Sequence, residues 1–220
     1  MEKSNLLLLI FIGMIFCSCQ PKINLKSDEH LSDTFSKGEL NEMEKMIGYV
    51  DEMVLSKTGK QDINQAYHQY LNELNKHIQD SSKFLVLFKE EEKYEFLESL
   101  DSTVFNEFFR LDSHIRMTRY KDTVYRDLEN YKHLNLQPGG RYLEYLKKVG
   151  ETDAFYESVT ESTEIAGDLS PAIAVYFPEQ HEEFNFTVPK NRLWAAVYLL
   201  RIEEHHDKKM ERYLKWQENQ

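Results

Sequence analysis

Apolar positions recur at intervals of three and four along most of this chain, the spacing of helices with one buried face. Leu40, Met43, Met46, Ile47, Val50, Met53 and Val54 form the first such stripe, with Gly59 just past its end as a stop signal. Ile63, Ala66, Tyr67, Tyr70, Leu71, Leu74 and Ile78 form the next, behind Asp62 as N-cap, and the two helices are expected to pack as an antiparallel hairpin. Phe84-Leu85-Val86-Leu87-Phe88 is a continuous apolar run that periodicity alone cannot assign. The acidic stretch Glu90-Glu91-Glu92 and the spacing of Tyr94 and Leu97 after it favour a buried helix.

Farther on, Asp101 or Ser102 caps an expected helix carrying Val104, Phe105, Phe108 and Phe109, and Asp122 caps another running through Tyr125, Leu128 and Tyr131. Pro138-Gly139-Gly140 breaks the chain before a short helix from Tyr142 to Val149, closed by Gly150. Thr152 or Asp153 starts a helix that stops at Gly167, and Ser170-Pro171 reads as N-cap and first residue of a helix that Pro178 ends. Glu179 to Pro189 reads as a long loop pinned by Phe184 and Phe186. A final helix opening at Asn191 turns Leu193, Val197 and Leu200 inward and Glu203 to Lys209 toward water, with Met210, Tyr213 and Leu214 resuming an apolar face. The predicted fold is all-α: a single irregular bundle of about six to eight helices over residues 38–220, with a long loop before the C-terminal helix.

The first residues have a different pattern. Lys3 precedes an apolar stretch from Leu6 to Phe16, the length of a secretory apolar region and too short to cross a bilayer as a helix. It ends in Phe16-Cys17-Ser18-Cys19-Gln20, which resembles the lipobox of bacterial lipoprotein signal peptides, with Cys19 as acceptor and Phe16 departing from the usual Leu. The resemblance implies a signal peptide over 1–18, cleavage after Ser18, diacylglyceryl attachment to the Cys19 sulfur and acylation of the new amino terminus. Several acyl chains anchor stably where one is marginal. Gln20 in place of Asp implies the outer membrane, on its periplasmic side or at the cell surface. The polar stretch 19–37 is then expected to be a flexible tether.

Cysteine usage agrees with this address. Cys17 and Cys19 are the two cysteines of the chain, so the folded domain holds no thiol, which excludes disulfide stapling, a thiolate nucleophile and any cysteine-based metal site. With 41% hydrophobic and 13% aromatic residues the domain can bury an ordinary core, and scarce Gly (8) and Pro (5) favour helices. The formal charge of −11 argues against binding a phosphate backbone and against electrostatic docking on anionic lipid, which leaves the acyl anchor as the membrane contact.

Candidate chemistry is sparse. Glu203-Glu204-His205-His206-Asp207 places Glu203 and His206 three apart, the spacing of ferritin-like di-metal sites, but no second Glu-x-x-His accompanies it, so a solvated helix face is the expected reading. Glu73 with His77 and Glu129 with His133 repeat a four-residue spacing common on helices. His181-Glu182-Glu183 could present a base from a loop. Asp101-Ser102-Thr103 and Asp122-Thr123-Val124 resemble the O-glycosylation sequon of Bacteroidota and double as helix caps. Serine-nucleophile elbow, His-Glu-x-x-His, phosphate-loop and dinucleotide motifs are absent from the sequence.

Two readings follow. The favoured one is a membrane-anchored envelope lipoprotein whose helical domain binds another protein, without catalytic activity, cofactor, metal or nucleic-acid partner. It calls for an exposed apolar patch or an acidic cleft. The alternative is a metal-dependent or small-ligand-binding helical protein built on Glu203 and His206.

Overall fold

In a computed structural model of the chain, residues 22–79 and 86–220 are described. The expected signal peptide, Cys19 and the start of the tether lie outside them, as do Phe84 and Leu85. The elements in chain order are α1 (Glu29–Thr34), α2 (Lys37–Thr58), α3 (Ile63–Gln79), α4 (Glu90–Ser99), α5 (Ser102–Phe108), β1 (Phe109–Tyr120), β2 (Thr123–Leu136), α6 (Arg141–Gly150), α7 (Ala154–Ala166), α8 (Pro171–Glu179), α9 (Pro189–Arg201) and α10 (His206–Glu218). Among the described residues no helix is long and apolar enough to cross a membrane.

Local chemistry sets most helix ends. Ser36 and Glu39 close a capping box at the start of α2, and Gly59 ends it in the left-handed conformation. Asp62 Oδ1 accepts from the Gln65 amide 2.8 Å away at the start of α3. Asp101, Asp153 and Ser170 cap α5, α7 and α8 as expected, and Gly167 closes α7 at φ 71°. α2, α3 and α9 surround one apolar core, in which Trp194, Phe177, Tyr198 and Val50 are buried. Phe177 alone meets the rings of Phe155, Phe184, Phe186, Trp194 and Tyr198 at centroid distances of 4.8–6.3 Å. Within it, Arg192 Nε donates to Asp51 Oδ1 at 3.0 Å and Tyr67 donates to the same oxygen at 2.8 Å, so the buried charge pair is hydrogen-bonded as burial demands.

Four expectations need correction. The chain is not all-α: residues 109–136 form a two-stranded antiparallel hairpin where a helix capped by Asp122 is expected. Tyr125, Leu128 and Tyr131 have helical spacing, yet the strand satisfies it by other means. Asp112 pairs with His133 and His114 with Glu129, so β2 carries two extra residues against β1, and Asn130 in that bulge adopts φ 60°. The bulge turns Leu128 and Tyr131, three apart, into the same apolar cluster. Asp122 lies in the turn beside Lys121, which takes the left-handed φ of 54°.

The tether expected over 19–37 is folded from Leu25 onward, through a 3-10 turn (Leu25–Ser27) and α1, with Leu25, Leu31 and Phe35 buried. The apolar run after position 85 is irregular up to Lys89, with Leu87 and Phe88 buried, and helix begins only at Glu90. The expected last helix is two: α9 stops at Arg201, which pairs with Asp168, and α10 starts at His206, whose preceding His205 Nδ1 accepts from the Asp207 amide.

Candidate functional site

The break between α9 and α10 gathers a network of polar side chains. Residues 202–205 meet α4 and the bulged part of β2, and the Glu203 side chain, expected to face water, is 8% exposed. Its Oε1 accepts from Tyr94 Oη and from the Leu134 amide, both at 2.8 Å. Its Oε2 accepts from His133 Nδ1 at 2.7 Å and Lys209 Nζ at 2.9 Å. One carboxylate therefore joins α4, β2 and α10.

The network extends along α4. Glu90 and Tyr94 lie one turn apart, so both point to the same side. Lys209 Nζ sits 2.9 Å from Glu90 Oε1 as well, and Arg212 pairs with Glu90 and Glu204. Lys93 is buried beside them and its Nζ donates to the Ile202 carbonyl at 3.4 Å. Three carboxylates thus face three cations in one partly dry region.

Protonation follows from that arrangement. Burial works to raise the Glu203 carboxyl, but His133, Lys209 and Lys93 overcome it and hold it well below the usual carboxylate range. Burial, against the pull of Glu203 and Glu90, lowers the Lys93 ammonium to about 8. Burial and the nearby Glu203 push the Tyr94 and Tyr131 phenols up. Burial also raises Glu204, with Arg212 opposing.

Over this network opens a groove of about 530 Å³ between α4, β2 and α10. Tyr94, Tyr131, Tyr213 and Trp216 supply its aromatic surface, and Glu91, Glu95 and Glu98 its acidic edge. Tyr131 and Tyr213 meet edge to face at 5.2 Å, Tyr213 and Trp216 lie 5.9 Å apart, and the Tyr213 hydroxyl donates to the Glu129 carbonyl at 2.7 Å. Trp216 is 43% exposed while Trp194 is fully buried. A second cleft of about 550 Å³ shares Glu90, Glu91 and Arg212 with the groove and reaches Lys93 and Glu203.

The residues singled out from sequence are distributed differently. Glu203 is at the centre of the site, whereas His206 reaches the hairpin, its Nε2 lying 3.0 Å from the Arg119 carbonyl and 3.3 Å from Thr118 Oγ1. The two do not sit on a shared helix turn, because Glu203 precedes α10. Among the described residues no group of three or more His, Asp or Glu is placed to hold a metal ion. Glu129 and His133 flank the bulge of a strand rather than one helix face, and His133 joins Glu203 instead. Glu73 accepts from Gln69. His181 is 3.1 Å from His68, Nδ1 to Nδ1, and burial lowers both imidazoles. Gly139-Gly140 is a turn, and Gly140 is required because a Cβ there would lie 2.1 Å from the Glu107 carbonyl oxygen.

Sequence reasoning missed Lys93, Lys209, Arg212 and Trp216 as site residues, read Tyr94 only as part of a helix stripe, and paired His133 with Glu129 instead of Glu203. Their one legible signal was the opposite charge of Glu90-Glu91-Glu92 and Lys208-Lys209, far apart in the chain. Set against protein-family models, curated proteins and solved structures, the chain shows no significant match to any of them.

Proposed function

We propose that this chain is a lipoprotein of the bacterial envelope, anchored in the outer membrane by acyl chains on Cys19, whose domain binds another protein rather than catalysing a reaction. The observation that carries the binding part is the groove of about 530 Å³ with Trp216 half exposed among three tyrosines. Tyr and Trp give large contact area with a polar tip, and they concentrate binding energy at interfaces. The Glu203 network fixes the groove walls before any ligand arrives, which lowers the ordering cost of association. The address rests on the lipobox resemblance at Phe16 to Cys19.

Because Leu25 is already buried in the fold, the chain from Cys19 to Leu25 can span at most about 20 Å whatever its path. The domain is therefore held near the membrane surface.

The test combines acyl labelling with cross-linked affinity capture from gently solubilised envelopes and elemental analysis of the same sample. Wild type is expected to incorporate labelled fatty acid, Cys19→Ala to lose both label and membrane association, and a stoichiometric protein partner to appear without metal. Stoichiometric iron, manganese or zinc lost on Glu203→Ala would overturn the reading. So would an unlabelled chain with no partner.

A further inference from the structure

Resting on that interaction reading, the ligand of the groove can be specified from the charges its own residues leave unmatched. Glu90 is matched by Lys209 and Arg212, and Glu98 by Lys132. Glu91 and Glu95, one turn apart on the exposed side of α4, carry no ion pair among the described residues and line the same groove. The groove already accommodates ammonium groups over its rings: Lys132 Nζ lies 5.2 Å from the centre of the Tyr94 ring, and Lys209 Nζ 5.2 Å from that of Tyr131. The Trp216 ring, the most electron-rich face available, has no such cation among the described residues.

We propose that the groove binds a lysine- or arginine-bearing segment of a partner protein, one cationic side chain lying on Trp216 and ending at Glu91 and Glu95. The aliphatic stem of such a side chain packs on the indole while its charged end reaches the two carboxylates, a division of labour that long basic residues suit. An acidic segment would meet two unpaired carboxylates and a chain of net charge −11. A purely apolar segment would leave both carboxylates partly dehydrated without a counter-charge.

The probe is a capped eight-residue peptide of alternating Lys and Ala, titrated at physiological salt into the lipid-free domain and followed by Trp216 fluorescence and calorimetry. Controls replace Lys by Glu or by norleucine, and spermidine is titrated separately. Saturable binding by the Lys peptide alone is expected, weakened tenfold or more by Glu91→Gln/Glu95→Gln and by Trp216→Ala. The pair Glu157→Gln/Glu161→Gln removes the same charge from exposed positions on α7 and should change affinity less than twofold. Absence of binding, equal loss in both charge pairs, or equal affinity for spermidine would overturn the proposal. An envelope partner captured equally well by the Glu91→Gln/Glu95→Gln protein would also overturn it while leaving the interaction reading intact.

Discussion

The helical body and the hairpin with its C-terminal helix are held together by different forces. In the body, α2, α3 and α9 bury a continuous apolar core dense in aromatic contacts, and the buried ion pair of Asp51 with Arg192 sits inside that packing. In the other region, Tyr120, Leu128, Tyr131, Met210 and Tyr213 form a small separate cluster. The hairpin base joins the body through Leu134 and Leu136, but its outer part depends on α10 and on the Glu203 network. A two-stranded hairpin alone is marginal in water, so polar contacts contribute a larger share there. Apolar burial is indifferent to protonation, whereas a network of carboxylates, a lysine and an imidazole is not.

The largest effect that could break this contrast comes from the body. Phe177→Ala should cost about 3–5 kcal/mol and shift the denaturation midpoint of the whole domain, read by far-ultraviolet circular dichroism. If only part of the signal moved, the body would not be the unit that carries the rest. Next, Glu203→Ala removes the shared acceptor of Tyr94, Leu134, His133 and Lys209 and leaves Lys93 and Lys209 with less counter-charge. Unpairing a buried charge group costs about 3 kcal/mol. The cost should appear as faster amide exchange in β1, β2 and α10 with α2, α3 and α9 unchanged. Uniform acceleration would mean one cooperative unit instead of two.

Acid should separate the regions more gently. Since the folded carboxyl of Glu203 lies below its ordinary value of 4.5, its contribution is present above that pH and declines as pH falls further. The hairpin and α10 should thus lose exchange protection on strong acidification, together with the start of α2, where Arg141 holds Glu39 down at about 2. His68 and His181 act earlier and elsewhere: both are lowered from 6.5, so the unfolded chain binds protons that the folded pair does not. Their contribution is complete above 6.5 and shrinks as pH drops through it, even with Glu182 and Asp62 nearby to favour charge. Exchange in α3 and residues 180–188 at pH 7 and 5.5 should show that loss, and His68→Phe should reduce the difference, leaving the part due to the partly buried His181. The smallest effect is expected from His206→Ala, an exposed contact to the hairpin, at about 0.5 kcal/mol. A loss of several kcal/mol there would make His206 a second joint between the regions.

Helix ends were legible wherever the deciding chemistry is local. Asp62, Asp101, Asp153, Ser170, Gly59 and Gly167 act through backbone groups two to four residues away, and the structure places them as their residue types predict. The strands were not legible, because the Asn130 bulge gives Leu128 and Tyr131 a three-residue spacing that a helix would also have. The site was legible at Glu203 and, through its spacing from Glu129, at His133. Glu203 stood out in sequence for its neighbour His206, yet its partners come from positions 94, 133, 134 and 209.

By itself, then, the sequence determined the stripes that become α2 and α3, the caps that bound the helices, a thiol-free domain and an acidic surface. Those depend on spacing and composition within a few residues or over the whole chain. Only the tertiary structure decided that residues 109–136 pair as a hairpin, that the last helix breaks at 202–205 and that Trp216 comes to line one groove with Glu91 and Glu95. Strand pairing and buried charge networks draw their energy from groups distant in sequence, and no local pattern encodes which of them will meet.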